Sequence, residues 1–425
     1  MKATELIAAL ENGALDRYSH LYRDTAAEAR RYIDAIRAFT ALYGDSRELY
    51  LFSVPGRTEV SGNHTDHNHG KVLAAAIDRD IIAVVARNAD GRIRVKSEGY
   101  DEDALTIDAA QSADNFKKYS SASLIAGTVN AFLTRGYGVT GFDSYTTTKV
   151  LKGSGISSSA AFEVIIGNIL NHLSNGGKIK NEELARIAQY AENEYFGKPC
   201  GLMDQMACAV GGFVAIDFED PKNPVINSIP FSLSDKGYLL CIVNTGGNHA
   251  DLTPDYAAVP AEMKAVAAYF GKDVLRGLSE NDIIENLPVL RKACGDRAAL
   301  RAFHFFRENE RVTAQTEALL CGDVDAFLRD VIASGSSSFR FLQNVYTSQS
   351  PAEQGISLAL CLTEGLLSGK ACAWRVHGGG FAGTIQVFVR EELAEGYVSV
   401  MNSVFGDGAA MILSVRPEGA VQIKL

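Results

Sequence analysis

The chain has 425 residues, of which 47% are hydrophobic and 22% charged, with a net charge of −10. That length predicts two or three domains with sizeable cores, and an acidic balance without a basic tract argues against nucleic acid as a partner. Seven scattered cysteines with no C-x-x-C pair fit reduced thiols rather than a disulfide framework or zinc site. No signal-peptide pattern and no membrane-length apolar run occur, so a cytoplasmic protein is expected.

Residues 3 to 43 read as amphipathic helices, with Leu6, Ala9 and Leu10, then Tyr32, Ile33, Ile36 and Phe39 on their apolar faces. Residues 49 to 54 read as a buried strand ended by Pro55-Gly56. Strands over 72 to 77 and 80 to 86 follow, and 92 to 97 pairs back across the turn Asn88-Ala89-Asp90-Gly91. Residues 121 to 133 are predicted helical and 142 to 148 a strand. A helix over 181 to 196 starts at a candidate cap, Asn181, and ends near Gly197-Lys198-Pro199. The Pro-rich stretch from Pro221 to Pro230 marks a candidate boundary, giving domains 1–230 and 231–425, with a helical extension over about 1–45.

The second half opens with a strand over 238 to 244. Helices are predicted around 261–270, 296–308, 312–320 and 324–328, and Ser334 to Ser338 opens another segment. A helix over 351–367 precedes strands at 374–376 and 384–389; a helix over 391–405 and a strand over 409–415 close the chain. Helices mixed with short strands predict α+β layers.

The stretch Gly153-Ser154-Gly155-Ile156-Ser157-Ser158-Ser159-Ala160-Ala161 joins the 142–148 strand to an apolar helix over 160–173. Small residues allow close approach of a ligand, and the open N–H groups and dipole of a helix start attract anions. Serine hydroxyls add hydrogen bonds and one metal contact, so a polyphosphate with a divalent cation suits the device. No Gly-Lys-Ser/Thr follows the glycines, so it is not the common phosphate loop. The simpler reading is a Gly/Ser turn with a serine cap.

Three further segments carry chemistry. Pro55 to Gly70 is dense in polar groups: His64 and Asp66 can grip vicinal hydroxyls, and Arg57 can balance a transferring phosphoryl group. The H-T-D-H-N-H order there is unlike a metallohydrolase site, which leaves a histidine metal centre the weaker reading. Glu192 and Asp204, the latter in Gly201-Leu202-Met203-Asp204-Gln205, can supply a base or orienting group and a magnesium ligand; solvated helix faces and caps are the alternative. Gly378-Gly379-Gly380-Phe381-Ala382-Gly383 is either a glycine hairpin or a wall past which phosphates run.

Together the four segments resemble the galactokinase family of the galactokinase, homoserine kinase, mevalonate kinase and phosphomevalonate kinase (GHMP) superfamily. Gly56-Arg57 and Gly62-Asn63-His64-Thr65-Asp66-His67 match the sugar signature; the serine loop, the Asp204 segment and Arg375 to Gly383 match the other motifs. The resemblance implies a two-domain α+β fold, with an N-terminal ribosomal-S5-domain-2-like part, a C-terminal ferredoxin-like part and a site in the cleft. It implies a sugar 1-kinase acting on galactose with ATP and Mg2+, as a monomer or weak homo-oligomer. Arg57 and Asp204 would be catalytic. Asn63, His64, Thr65, Asp66 and Tyr256 would line the sugar pocket. Gly153, Ser154, Gly155, Ile156, Ser157, Ser158 and Ser159 would hold ATP, and Ser159 and Glu192 the magnesium. Galacturonate, N-acetylgalactosamine or arabinose are alternative substrates, and a non-catalytic galactose and ATP sensor is an alternative class. The intact serine loop, Arg57 and Asp204 favour an enzyme.

Three positions depart from the family pattern. Glu59 stands where Asn is usual, His67 where Tyr is usual, and Asn63 where an acid usually takes a hydrogen bond from the sugar. An uncharged Asn63 would tolerate a carboxylate on the substrate, which raises galacturonate as a rival.

Overall fold

A computed structural model of the chain describes residues 1–150, 156–198, 200–247 and 252–425. Its described strands, in chain order, are β1 (Tyr50–Ser61), β2 (Lys71–Arg87), β3 (Arg92–Ser97), β4 (Glu102–Thr106), β5 (Phe142–Thr148), β6 (Phe213–Asp217), β7 (Val225–Ile229), β8 (Tyr238–Asn244), β9 (Ala373–His377), β10 (Thr384–Arg390), β11 (Ala410–Leu413) and β12 (Val421–Ile423). They form an eight-stranded sheet, β12-β1-β2-β5-β3-β4 with β6 and β7 beyond the first half of β2, and a four-stranded antiparallel sheet, β11-β8-β10-β9.

β2 organises the larger sheet. Its first half, Lys71 to Ala75, pairs with β6, and its second half, Ile81 to Arg87, pairs with β5. The alternation of a strand sends Ala83 and Val85 into the main core, while Ile82, Val84 and Ala86 meet the N-terminal helices Ala3–Glu11 and Thr25–Tyr43. That extension is clasped by a buried ionic knot. Asp80, 1% exposed, accepts from Tyr22 (3.0 Å) and Arg31 (2.5 Å) and from Ser53, with Arg416 at 3.3 Å. Burial alone would raise the Asp80 carboxyl; Arg31 and Arg416 outweigh it and hold it below its usual range.

In the smaller sheet Leu239, Cys241 and Val243 face one core, and Leu240 and Ile242 face the other. Phe327, on the helix Val324–Ser337, joins the two sheets: its ring lies 6.0 Å from Phe213 of β6 and 5.2 Å from Phe388 of β10, edge to face.

Several expectations change. The strand at Pro55-Gly56 does not stop; β1 runs on to Ser61, with a register shift between Pro55 and Arg57. A bulge absorbs the N–H that proline lacks. Residues 72–77 and 80–86 are one strand. β3 pairs with β4 and, in parallel, with β5 rather than with β2, because β5 occupies that flank of β2. Asn181 is the first helical residue and Lys180 the cap position, without a side-chain cap bond. The two helices expected over 296–308 and 312–320 are a single helix, Asp296–Cys321. β12 returns from the C-terminal end to pair with β1. None of the described helices is long and apolar enough to cross a membrane.

Candidate active site

Just past its bulge, β1 brings Arg57 against the Asp204 segment. Gly56 lets the strand approach the serine loop, since a Cβ there would lie 2.8 Å from the Ile156 carbonyl oxygen. The Arg57 N–H donates to that same oxygen at 3.2 Å. Opposite stands Asp204, in the first turn of the helix Met203–Val210. The Arg57 guanidinium holds its carboxylate in a fork, Nε to Oδ1 at 2.7 Å and Nη2 to Oδ2 at 3.0 Å. Ser157 donates its hydroxyl to Oδ2 as well.

Ser157 cannot also cap. It sits at φ +57° before the helix Ser158–Asn175 and makes no side-chain cap bond. A non-glycine residue in that region is strained; here the turn aims the hydroxyl at Asp204. Burial pushes the Asp204 carboxyl up, but Arg57, Ser157 and Lys198 outweigh it and hold it below the usual carboxylate range. With a third of its side chain exposed, Asp204 still offers lone pairs to the cleft, while Arg57 is 8% exposed.

A second cluster adjoins the loop. The helix Asn181–Tyr190 widens into a π turn, Ala191–Phe196, where the Gly197 N–H reaches back to the Glu192 carbonyl at 3.0 Å. Such turns gather at functional sites. Glu192, 2% exposed, accepts from Ser159 at 3.4 Å, from Lys198 at 3.2 Å and from Gln205 at 2.7 Å. Gln205 Nε2 also reaches Glu163 at 3.2 Å. Burial, then the charge of Glu192, raises the Glu163 carboxyl well above its ordinary value, and its Oε1 is buried without a partner.

The sugar signature forms a tight loop beside the glycine segment. Asn63 is 1% exposed and its amide is fully engaged. Nδ2 donates to Glu59 Oε1 and to the Gly378 carbonyl, each at 2.8 Å, and Oδ1 accepts from Asn344 at 2.7 Å. Thr65 is sealed too, its hydroxyl within bonding distance of the Gly62 and Lys71 carbonyls. Both act as struts of the loop in this geometry. His64, at φ +61°, meets the Gly379 carbonyl at 2.9 Å, and burial lowers its pKa to about 4, leaving a neutral ring. Asp66 is partly open and abuts the Asp204 segment: a Cβ on Gly201 would lie 3.1 Å from its Oδ2. Tyr256 donates to the Gly380 carbonyl at 2.9 Å and stacks edge-on against Phe381.

Gly378 to Gly380 therefore present carbonyls to Asn63, His64 and Tyr256. Their polarity suits these donors, not phosphate, so the phosphate-wall reading is replaced by a backing for the signature loop. Among the described residues no group of three or more His, Cys, Asp or Glu stands ready to hold a metal, against the histidine-centre reading. Gly153, Ser154 and Gly155 lie outside the described residues. Ile156 is buried; Ser157, Ser158 and Ser159 are partly exposed at the helix start.

The profile of the galactokinase galactose-binding signature matches residues 37–87, and that of the GHMP kinases N terminal domain matches residues 123–212. A galactokinase of Streptomyces coelicolor is 32% identical over 372 residues, covering 86% of this chain and 91% of the relative. The chain belongs to the galactokinase family. A galactokinase of Lacticaseibacillus casei is 28% identical, over 92% of this chain and 99% of its own. Among solved structures, Lactococcus lactis galactokinase complexed with galactose superposes with a TM-score of 0.75 at 21% identity, covering 91% of this chain and 98% of that one. The mevalonate kinase of Methanococcus jannaschii follows the same fold, with a TM-score of 0.61 at 14% identity over 87% of this chain and 98% of its own.

Some residues of the site carried no signal in sequence. Asn344 holds the Asn63 amide from a turn at Gln343, and the buried His304 donates from Nε2 to the Asn63 backbone carbonyl at 2.9 Å. Gln205 was visible only as the neighbour of Asp204, yet it bridges two carboxylates.

Proposed function

We propose that this galactokinase-family chain phosphorylates the anomeric hydroxyl of galactose with ATP, as the named galactokinases that it resembles suggest. The observation that carries the chemistry is the Asp204 carboxylate, gripped by Arg57 and Ser157 at the start of the Ser158–Asn175 helix. A carboxylate held this acidic is a weak base. It orients the attacking hydroxyl, which suffices for a loose phosphoryl-transfer transition state that needs little deprotonation of the nucleophile. Arg57 balances the charge on the transferring group. The start of the Ser158–Asn175 helix, with Ser157 to Ser159, receives the phosphates.

His64 and Asp66 grip sugar hydroxyls, and Tyr256 closes the pocket through the glycine segment. Ser159 and Glu192 suit a magnesium ion: their oxygens lie 3.4 Å apart, and octahedral ligands about 2.1 Å from the metal sit roughly 3 Å from each other. The ion would neutralise phosphate charge. Lys198 pairs with Glu192 at 3.2 Å beside this pair of oxygens.

The test is product identity. Incubation with magnesium-ATP and galactose should give a phosphate on carbon 1, read by phosphorus NMR coupling to the anomeric proton. Binding of galactose and ATP without product would instead support the sensor.

A further inference from the structure

We infer that Glu59, not Asn63, is the residue that selects the sugar, accepting a substrate hydroxyl and rejecting sugar acids; this rests on the sugar-kinase reading above. The family pattern places an amide at 59 and an acid at 63. Here the two are exchanged, four residues apart on one strand and its loop. The structure keeps them bonded, with Asn63 Nδ2 donating to Glu59 Oε1 at 2.8 Å.

The exchange does not leave two equivalent groups. The Asn63 amide is spent within the protein, on Glu59, Gly378 and Asn344. Glu59 is different. Its side chain is nine-tenths buried, Oε1 takes the Asn63 bond and faces Arg375 at 3.8 Å, and Oε2 makes no hydrogen bond among the described residues. An acceptor kept partly dry and unfilled is a place for a ligand donor. It is also in the right place, two residues beyond Arg57 on β1 and 2.8 Å from Asn63 of the signature loop.

Charge then sets the preference. Arg57 pairs with Asp204, Arg375 stands 3.8 Å behind Glu59 as its counter-charge, and His64 is neutral. These cations already have carboxylate partners, so the sugar side meets the acceptor oxygens of Glu59 and Asp66. A hydroxyl donates to such a wall, whereas a carboxylate meets like charge in a partly desolvated cup. The expectation that the uncharged Asn63 admits galacturonate is thereby reversed, because Asn63 does not face the substrate.

The experiment is steady-state ADP release by the wild-type protein and Glu59→Gln, on galactose and on galacturonate, with magnesium-ATP. Glutamine keeps the acceptor for Asn63 and removes the charge. The variant should lose about ten- to a hundredfold in kcat/KM on galactose, the range for a hydrogen bond to a charged group. Its galacturonate-to-galactose ratio should rise at least about tenfold. An unchanged ratio, with wild-type turnover of galactose intact, overturns the role of Glu59 alone. Absence of wild-type turnover on either sugar overturns the kinase reading and this inference with it. Should Glu59→Gln fail to fold, inhibition of the wild type decides: the neutral amide of galacturonate should compete with galactose at least about tenfold better than the acid. Equal competition overturns the inference.

Discussion

Replacing Asn63 by Asp changes one NH2 group to an oxygen, and the structure fixes what that removes. Asn63 Nδ2 supplies both of its hydrogens, to Glu59 Oε1 and the Gly378 carbonyl, each at 2.8 Å, in a site where Asn63 is 1% exposed. The aspartate has no hydrogen to give. Two buried acceptors then face an oxygen, at about 1–3 kcal/mol for each unsatisfied group. The expected loss at pH 7 is about 2–6 kcal/mol, a large part of the roughly 5–15 kcal/mol that holds a typical domain.

The same geometry sets the pH dependence. Burial and the neighbouring Glu59 raise the new carboxyl's pKa in the folded state above its unfolded value of about 3.9. The folded state then binds more protons than the unfolded one between those two values, so the loss is complete above the folded pKa and shrinks as the pH falls through it. Equilibrium urea unfolding of wild type and Asn63→Asp, at pH 7 and pH 5, measures both effects. A difference within about 0.5 kcal/mol at both pH values, the scatter of ordinary surface changes, would refute the strut assigned to Asn63.

Asp204→Ala should abolish ADP release, by at least about a thousandfold if the carboxylate aligns the nucleophile, while keeping a cooperative melt; turnover near wild type contradicts the role. Gly56→Ala should push β1 away from the Ile156 carbonyl, 2.8 Å from the new Cβ, lowering kcat/KM about a hundredfold at a stability cost of about 1–3 kcal/mol. Unchanged kinetics would mean that this contact does not position Arg57. The buried histidines give a pH signature. Burial lowers His64 to about 4 and His377 to about 3, so the unfolded chain binds more protons as the pH falls below about 6.5. Stability should therefore fall from pH 6.5 toward pH 4, while kcat/KM on galactose stays flat from pH 8 to 6.5. A titration in kcat/KM near 6.5 that His64→Gln removes would contradict a neutral His64.

Much of the fold was legible where period and pattern agree. The strands over 142–148 and 238–244 match their bounds, the latter as a short apolar run buried on both faces, and the helix at 391–405 matches through its amphipathic face. The misreadings have local causes. Pro55 reads as a stop, but a bulge lets β1 continue and carries Arg57 into the site. The break read between 77 and 80 is absent, because Asp78 and Asp80 both lie inside one continuous strand, Asp80 held by Arg31, 49 residues before it, and Arg416, 336 residues after it. Glu59 was visible only as a departure from pattern. Sequence could mark Asn63 as unusual, but only its packed surroundings show that its amide is already used, on Glu59, Gly378 and Asn344.

The most direct measurement is coupled ADP release by the wild-type protein with magnesium-ATP, comparing galactose, galacturonate, N-acetylgalactosamine and arabinose. The account predicts turnover on galactose above all the others, with galacturonate poor. No ADP release on any of the four, from protein that binds ATP, would contradict the kinase; release fastest on galacturonate would contradict the acidic sugar wall.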